Sequence, residues 1–337
     1  MTDIRRVQIT GGASYMITLP KQWAQSVNLH KNDPVAVVPQ PNGGLLLTVG
    51  VVSAAAPDRK VLNADGVPNG TALYRQLIGS YIAGHREIAV VSDGGLSGDR
   101  LQAVSDFTQT SIGMEITEED ERHIVIRDLM DHTEVPPMKN VRREYVLVRK
   151  MLTDVFEAAD SGSIELLEGM SSRDTEVDRI HWLVQRQASI HQTDITLSAR
   201  MGLDLRQITV CVGASKTIER MGDHAVLMAK HLSGMLRGRK PGRTEQVLSV
   251  LGGELLPLFD RTVQAWMERD AAAAEQSIVD GRAGLQRMGQ VFAELPVGGP
   301  DAQPIGLLAG SVKRLTEYCL DLSEAAINSA MERESLS

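Results

Sequence analysis

Two stretches of the chain share one spacing. Glu219-Arg220-Met221-Gly222-Asp223 and Glu317-Tyr318-Cys319-Leu320-Asp321 both read Glu-x-x-x-Asp, and they stand 98 residues apart, 219 to 317 and 223 to 321. At the same offset Arg314 falls on Lys216. A recurrence at constant offset marks a duplicated supersecondary unit. On a helix the two acids of each motif sit one above the other. Around the first motif Cys211, Ser215, Ile218, Gly222, Ala225, Ala229 and Leu232 recur every three or four residues. That small, apolar seam predicts a helix over Ile208 to Leu236 that packs closely against neighbours. Carboxylates beside such a seam are costly to bury unless a cation, a basic side chain or water meets them.

The rest of the duplicated part follows the same period. Helices are expected over Arg142 to Met170, interrupted at Ser161-Gly162-Ser163, and over Arg173 to Thr196. Asp174 and Asp178 form another i, i+4 pair, with His181 three residues on. Arg237 to Arg243 is a basic connector, and three more helices follow over Glu245 to Arg269, Ala271 to Glu294 and Ile305 to Glu332. In that second set Asp280 is aligned with Asp174, and Gly284 falls where Asp178 would have its counterpart.

Ile218 to Ala225, with Glu219-Arg220-Met221-Gly222-Asp223-His224 at its centre, resembles the signature of PhoU proteins. Tyr318 to Asn328 resembles the second signature of archaeal PhoU relatives, and the likeness spans about Arg142 to Met331. The resemblance implies a pair of three-helix bundles, negative regulation of phosphate uptake, and metal held by the acidic motifs. It implies a phosphate-transporter ATPase and other phosphate-signalling proteins as partners. On that basis Glu219, Asp223, Asp174, Asp178, Glu317, Asp321 and Asp280 are the expected metal ligands. Carboxylate oxygens suit iron, manganese or magnesium. Against this stands the plain reading that the acids are solvated or paired with Arg179, Arg186 or Arg220. A ferritin-type di-iron oxidase would need two Glu-x-x-His motifs, and only Asp178-Arg179-Ile180-His181 comes near.

The first 50 residues are of another kind. Strands over Arg6 to Thr10 and Ser14 to Leu19 flank a turn at Gly11-Gly12-Ala13, where glycine permits positive φ. A short helix runs from Pro20 through Val27, Asn32 takes a left-handed turn, and Val35 to Val38 pairs with Leu45 to Val49 through Pro41-Asn42-Gly43-Gly44. Fifty residues make a thin core, for which dimerisation is the usual remedy. Gln8 to Trp23, with Leu19-Pro20-Lys21, resembles the SpoVT-AbrB swapped-hairpin domain, which dimerises and commonly binds DNA. Arg5, Arg6, Lys21 and Lys31 oppose Asp3 and Asp33, a net +2 per protomer, and these four basic residues are the expected phosphate contacts.

Between the two lies a linker expected over 51–70, rich in Pro and Gly. A small α/β domain over 71–135 follows, with helices from Thr71 to Ala83 and Asp99 to Thr110 and strands at Glu87 to Val91, Gly113 to Thr117 and His123 to Arg127. The expected organisation is therefore 1–50 AbrB-like, 51–70 linker, 71–135 α/β, 141–236 first bundle, 237–244 connector and 245–334 second bundle. The fold class is multidomain and mainly α.

Bulk properties narrow the function. The net charge is −8 over 337 residues, which argues against a wholly nucleic-acid-coated protein but leaves room for one basic module. Two cysteines without a Cys-x-x-Cys spacing fit reduced core residues in a cytoplasmic protein. No apolar run reaches the ~18 residues of a membrane helix. Neither a nucleophile triad nor a Gly-rich nucleotide loop is present, so no enzyme and no organic cofactor are expected. The expectation is a phosphate-uptake regulator that joins a DNA-binding or dimerising module to a helical sensor. Its rivals are a transcription factor whose bundles only sense ligand or oligomerise, a carboxylate-bridged metalloenzyme, and a structural adaptor on the transporter.

Overall fold

A computed structural model describes residues 4–11, 14–39, 44–49, 58–132, 134–193, 205–295 and 301–334. Asp3, the Gly12-Ala13 and Pro41 to Gly43 turn positions, Val51 to Pro57 of the expected linker and 194–196 of the expected second helix lie outside them. The chain divides into two compact units, Met1–Pro57 and Asp58–Ser337.

The N-terminal unit has two antiparallel hairpins, β1 (Gln8–Thr10) with β2 (Ser14–Met16), and β3 (Val35–Pro39) with β4 (Leu45–Val49). Between them lies α1 (Lys21–Ser26), which buries none of its residues. Asn32 takes φ 73°, the left-handed turn its side chain tolerates.

The second unit begins with a strand where the sequence suggested linker. β5 (Arg59–Asn63) pairs in parallel with β6 (Glu87–Val91), and α2 (Gly70–Ile82) makes the crossover. Only Leu62 of β5 is buried, because β5 is a sheet edge and shows one face; its alternation is too short and too charged to read as a strand. The sheet order is β5-β6-β8-β7, with β7 (Met114–Glu119) and β8 (His123–Asp128) antiparallel, and α3 (Gly98–Thr110) packs against α2. Asn69 caps α2 by accepting from the Ala72 amide at 2.9 Å.

Six helices follow: α4 (Pro137–Ser161), α5 (Met170–Thr193), α6 (Leu205–Leu236), α7 (Arg243–Glu268), α8 (Ala271–Ala293) and α9 (Ala302–Glu334). Gly162 ends α4 at φ 78°, where its missing Cβ leaves room beside Pro241. One continuous core runs through both three-helix sets. The α4 positions Val141, Val148, Met151, Leu152, Val155 and Phe156 are buried, and so are Leu248, Leu255, Leu258, Phe259, Thr262 and Val263, each 107 residues on. Buried Met170, Val177 and Val184 of α5 likewise recur as Ala274, Gly281 and Met288 of α8, each 104 residues on.

The α/β domain is clamped to α5. Arg186 is wholly buried, and its guanidinium pairs with Asp128 at 2.6 Å, donates to the carbonyls of Tyr81 and His85, and lies 4.7 Å from the Tyr81 ring centroid. His132 Nε2 meets the same Asp128 oxygen at 2.7 Å. Burial alone would raise the Asp128 carboxyl, but the His132 hydrogen bond and the Arg186 charge outweigh it and hold it at about 2. Arg179 adds a bond to the Thr110 carbonyl.

Candidate carboxylate site in the first bundle

α5 and α6 bring the predicted acids Asp174, Asp178, Glu219 and Asp223 into one electrostatic group. Burial raises Asp174 to about 6, with Asp223 and Glu219 adding repulsion. Asp178 is raised to about 7 by burial and then by Asp174, Glu219 and Asp223. Asp223, nearest solvent, is raised by burial and by Glu219. Glu219 lies deeper, 8% exposed, and pairs with Lys216 at 2.6 Å. A Cβ at Gly222 would lie 3.4 Å from Val148 of α4 and 3.5 Å from Asp174 Oδ1, ordinary contact distances.

A fifth acid completes the group. Glu144 projects from α4 and is fully buried. Its carboxyl is pushed well above the usual range by burial and by Glu219 and Asp178. The Ser215 hydroxyl, which His181 also meets, acts on Glu144 as a hydrogen-bond donor; no other partner reaches either Glu144 oxygen, and Asp174 Oδ1 has none. Leaving a buried polar group unpaired costs about 1–3 kcal/mol. The sequence reading passed over Glu144 because it stands alone, without an i+4 acid. A signal was present all the same: it interrupts the apolar stripe Val141, Val148, Met151, Val155.

His181 is held away from ligand duty. Its Nδ1 meets Ser215 Oγ at 2.9 Å and its Nε2 meets the Gln185 amide at 2.6 Å. The amide nitrogen can only donate, so Nε2 accepts and Nδ1 carries the proton. Burial holds the imidazole down at about 4, so it is neutral near pH 7.

The donor set fits a hard cation. All five acids offer oxygen, buried oxygens among them lack a protein partner, and one lysine faces the group. Among the described residues no three Asp, Glu, His or Cys side chains are set around one point as the ligands of a single ion.

The second bundle arranges its acids differently. Glu317 pairs with Arg314 at 2.8 Å and with Lys313 at 3.7 Å. Asp321 is raised by burial, then by Glu324 and Glu317. Asp280 pairs with Arg261 at 2.7 Å and accepts from Gln276. The packing places Ile278, not Asp280, at the position of Asp174, and Arg282 at that of Asp178, because the α5 and α8 burial patterns align at 104 residues. Sequence alignment of the two acids missed this by two residues, which on a helix is more than half a turn. A cleft of about 280 Å³ lies beside Leu251, Arg261, Asp280, Gly284 and Arg287.

In the N-terminal unit Arg5, Arg6, Lys21 and Lys31 are all exposed. So are Ile4, Val7, Ile9, Tyr15 and Ile17, at 54% or more.

Residues 141–232, which include all five acids, match the family model of the PhoU domain. The chain carries a PhoU domain. Residues 8–51 match the family described as antidote-toxin recognition MazE, bacterial antitoxin, so the N-terminal domain is MazE/AbrB-like. No curated protein matches. Among solved structures the chain is similar to PhoU from Pseudomonas aeruginosa, at 17% identity and a TM-score of 0.46, over 57% of this chain and 93% of that one. PhoU is a regulatory, non-enzymatic family, and the domain supports a regulator's role in phosphate homeostasis. The MazE/AbrB-like domain fits a DNA-binding or dimerising module. Among the described residues no helix is long and apolar enough to cross a membrane.

Proposed function

We propose that this protein is a non-enzymatic regulator of phosphate uptake whose first bundle reads cellular state through a hard cation, iron, manganese or magnesium. The observation that carries the reading is the group Glu144, Asp174, Asp178, Glu219 and Asp223, which keeps unpaired buried oxygens beside the PhoU signature. A bound cation would supply the missing positive charge and stabilise the contact of α5 with α6. The N-terminal unit serves as a dimerising, DNA-contacting module. Exposed Ile4, Val7, Ile9, Tyr15 and Ile17 suit burial against a second copy. Arg5, Arg6, Lys21 and Lys31, doubled in a dimer, suit DNA phosphates. The phosphate-transporter ATPase and other phosphate-signalling proteins are the partners this reading assigns.

The test is elemental analysis of purified, untagged full-length protein beside Glu219→Ala/Asp223→Ala. Stoichiometric iron or manganese in the wild type and its loss in the folded variant is the expected result. Metal at background in both, with both equally folded, rejects the cation reading and leaves the acids as a charged helix seam.

A further inference from the structure

The cleft of about 280 Å³ in the second bundle lies between α7 and α8, over a floor of Leu251, Leu255, Leu258, Met288 and Val312. Gly284 lines it on α8. At the 104-residue offset that relates α5 to α8, this glycine takes the place of Ile180, which is fully buried in the first bundle. Close packing does not call for a glycine here. A Cβ at Gly281 would lie 2.6 Å from Leu320, and one at Gly252 would lie 2.3 Å from Phe156. One at Gly284 would meet no atom nearer than Arg287 at 4.0 Å, and one at Gly253, on the α7 side of the cleft, would meet nothing within 4 Å. Glycine inside a helix is destabilising relative to alanine. Both glycines therefore cost stability, and what they leave is open space.

The polar groups of the cleft are placed in pairs. Arg261 meets Asp280 at 2.7 Å and Arg287 meets Glu254 at 2.8 Å, each pair joining α7 to α8. Glu254 and Arg261 are seven residues apart, roughly 10 Å along a helix that rises ~1.5 Å per residue. Pro257 and Leu258 lie between them on α7, and Ala283 and Gly284 lie between their partners on α8. All four charged side chains are exposed to solvent over a third or more of their surface. Ion pairs so exposed contribute little, so they exchange partners at small cost. Pro257 adds an acceptor. It has no N–H, so the Gly253 carbonyl, four residues back in the same helix, lacks its helical donor.

We propose that the cleft between α7 and α8 binds an apolar α-amino acid of the size of leucine or methionine. Its charges balance, two guanidinium groups against two carboxylates, so a ligand with net charge would leave one of them uncompensated. A zwitterion presents both signs. Its carboxylate meets a guanidinium, and its ammonium meets a carboxylate and the Gly253 carbonyl, which can only accept. Its hydrocarbon side chain covers the leucine and methionine floor, in the space that Ile180 fills in the first bundle. The site is separate from the carboxylates of the first bundle and does not depend on a cation there.

Full-length wild type, Gly284→Ile and Glu254→Gln/Arg287→Met are titrated by isothermal calorimetry with leucine and with methionine. Isocaproate and isoamylamine, which keep the hydrocarbon of leucine but lack the ammonium or the carboxylate, are titrated beside them. Gly284→Ile places in the cleft the residue that the first bundle holds at this position, and the double variant changes one exposed ion pair and leaves the floor intact. The Tm of each variant reports its folding. The expected result is saturable binding of leucine or methionine by the wild type, weaker by about tenfold or more for both analogues and in both variants. Binding of neither amino acid by the wild type overturns the proposal. Unchanged binding in either folded variant overturns the assignment to this cleft, and equal binding of isocaproate or isoamylamine overturns the zwitterion.

Discussion

The two bundles are built on one plan and differ in what they do with it. Both keep a core at matching positions, and both keep the Glu-x-x-x-Asp pair on the third helix. At the positions occupied by Glu144, Asp174 and Asp178 in the first bundle, the matching offsets place Leu251, Ile278 and Arg282 in the second. Where the second bundle keeps Glu317, Arg314 and Lys313 neutralise it. Packing has thus been preserved while fewer acids occupy the matching positions. Size is preserved by exchange. On α6 Gly222 receives Val177 of α5, whereas on α8 Gly281 receives Leu320 of α9. The glycine has moved to the opposite helix, so total volume at the crossing stays nearly constant.

The outer helices differ most. α5 is docked on the α/β domain through Arg186, while Gln290, its counterpart on α8, is exposed. Arg186→Ala would leave Asp128 buried, with its remaining partner His132 unable to replace the full guanidinium pairing. It is expected to destabilise the protein by about 3–5 kcal/mol, whereas Gln290→Ala should change stability by less than about 0.5 kcal/mol. Chemical denaturation of the two variants reads the difference. Equal effects would mean that the docking contributes nothing to the asymmetry.

A smaller effect is expected where the bundles meet. A Cβ at Gly252 of α7 would lie 2.3 Å from Cγ and 2.7 Å from Cβ of Phe156 on α4, atoms at the base of a buried side chain. Gly252→Ala is expected to cost about 1–3 kcal/mol through overpacking. Gly222→Ala meets only ordinary contacts and should be neutral or slightly stabilising, because alanine favours the helix by up to about 1 kcal/mol. Thermal melts of both variants test this contrast. A large loss at Gly222 would mean that the crossing there has no room for a methyl group.

The remaining contrast is electrostatic. Asp174 and Asp178 have folded values of about 6 and about 7, above the ordinary 3.8. Between these limits the folded state holds more protons than the unfolded chain, so stability must fall as pH rises from about 4 to 7 and level off above. Metal-free protein should show this slope in denaturant melts. Asp174→Asn/Asp178→Asn should flatten it, while Asp280→Asn, on the second bundle, should leave it unchanged. A slope untouched by the first pair would mean that repulsion among these acids is relieved in the folded state.

Local pattern carried the helices, the duplication and the paired acids, since each depends on spacing within one segment. Asp174, Asp178, Glu219 and Asp223 converge because each pair lies beside its own helix seam, which periodicity reveals. Tertiary structure alone decided the remainder. It recruited Glu144, placed Ile278 where Asp280 was expected, made Arg59 to Asn63 an edge strand, and buried Arg186 against Asp128. Each of these depends on the register between segments dozens of residues apart. That register is set by how side chains of different helices and strands share volume and charge, which no single segment's period encodes.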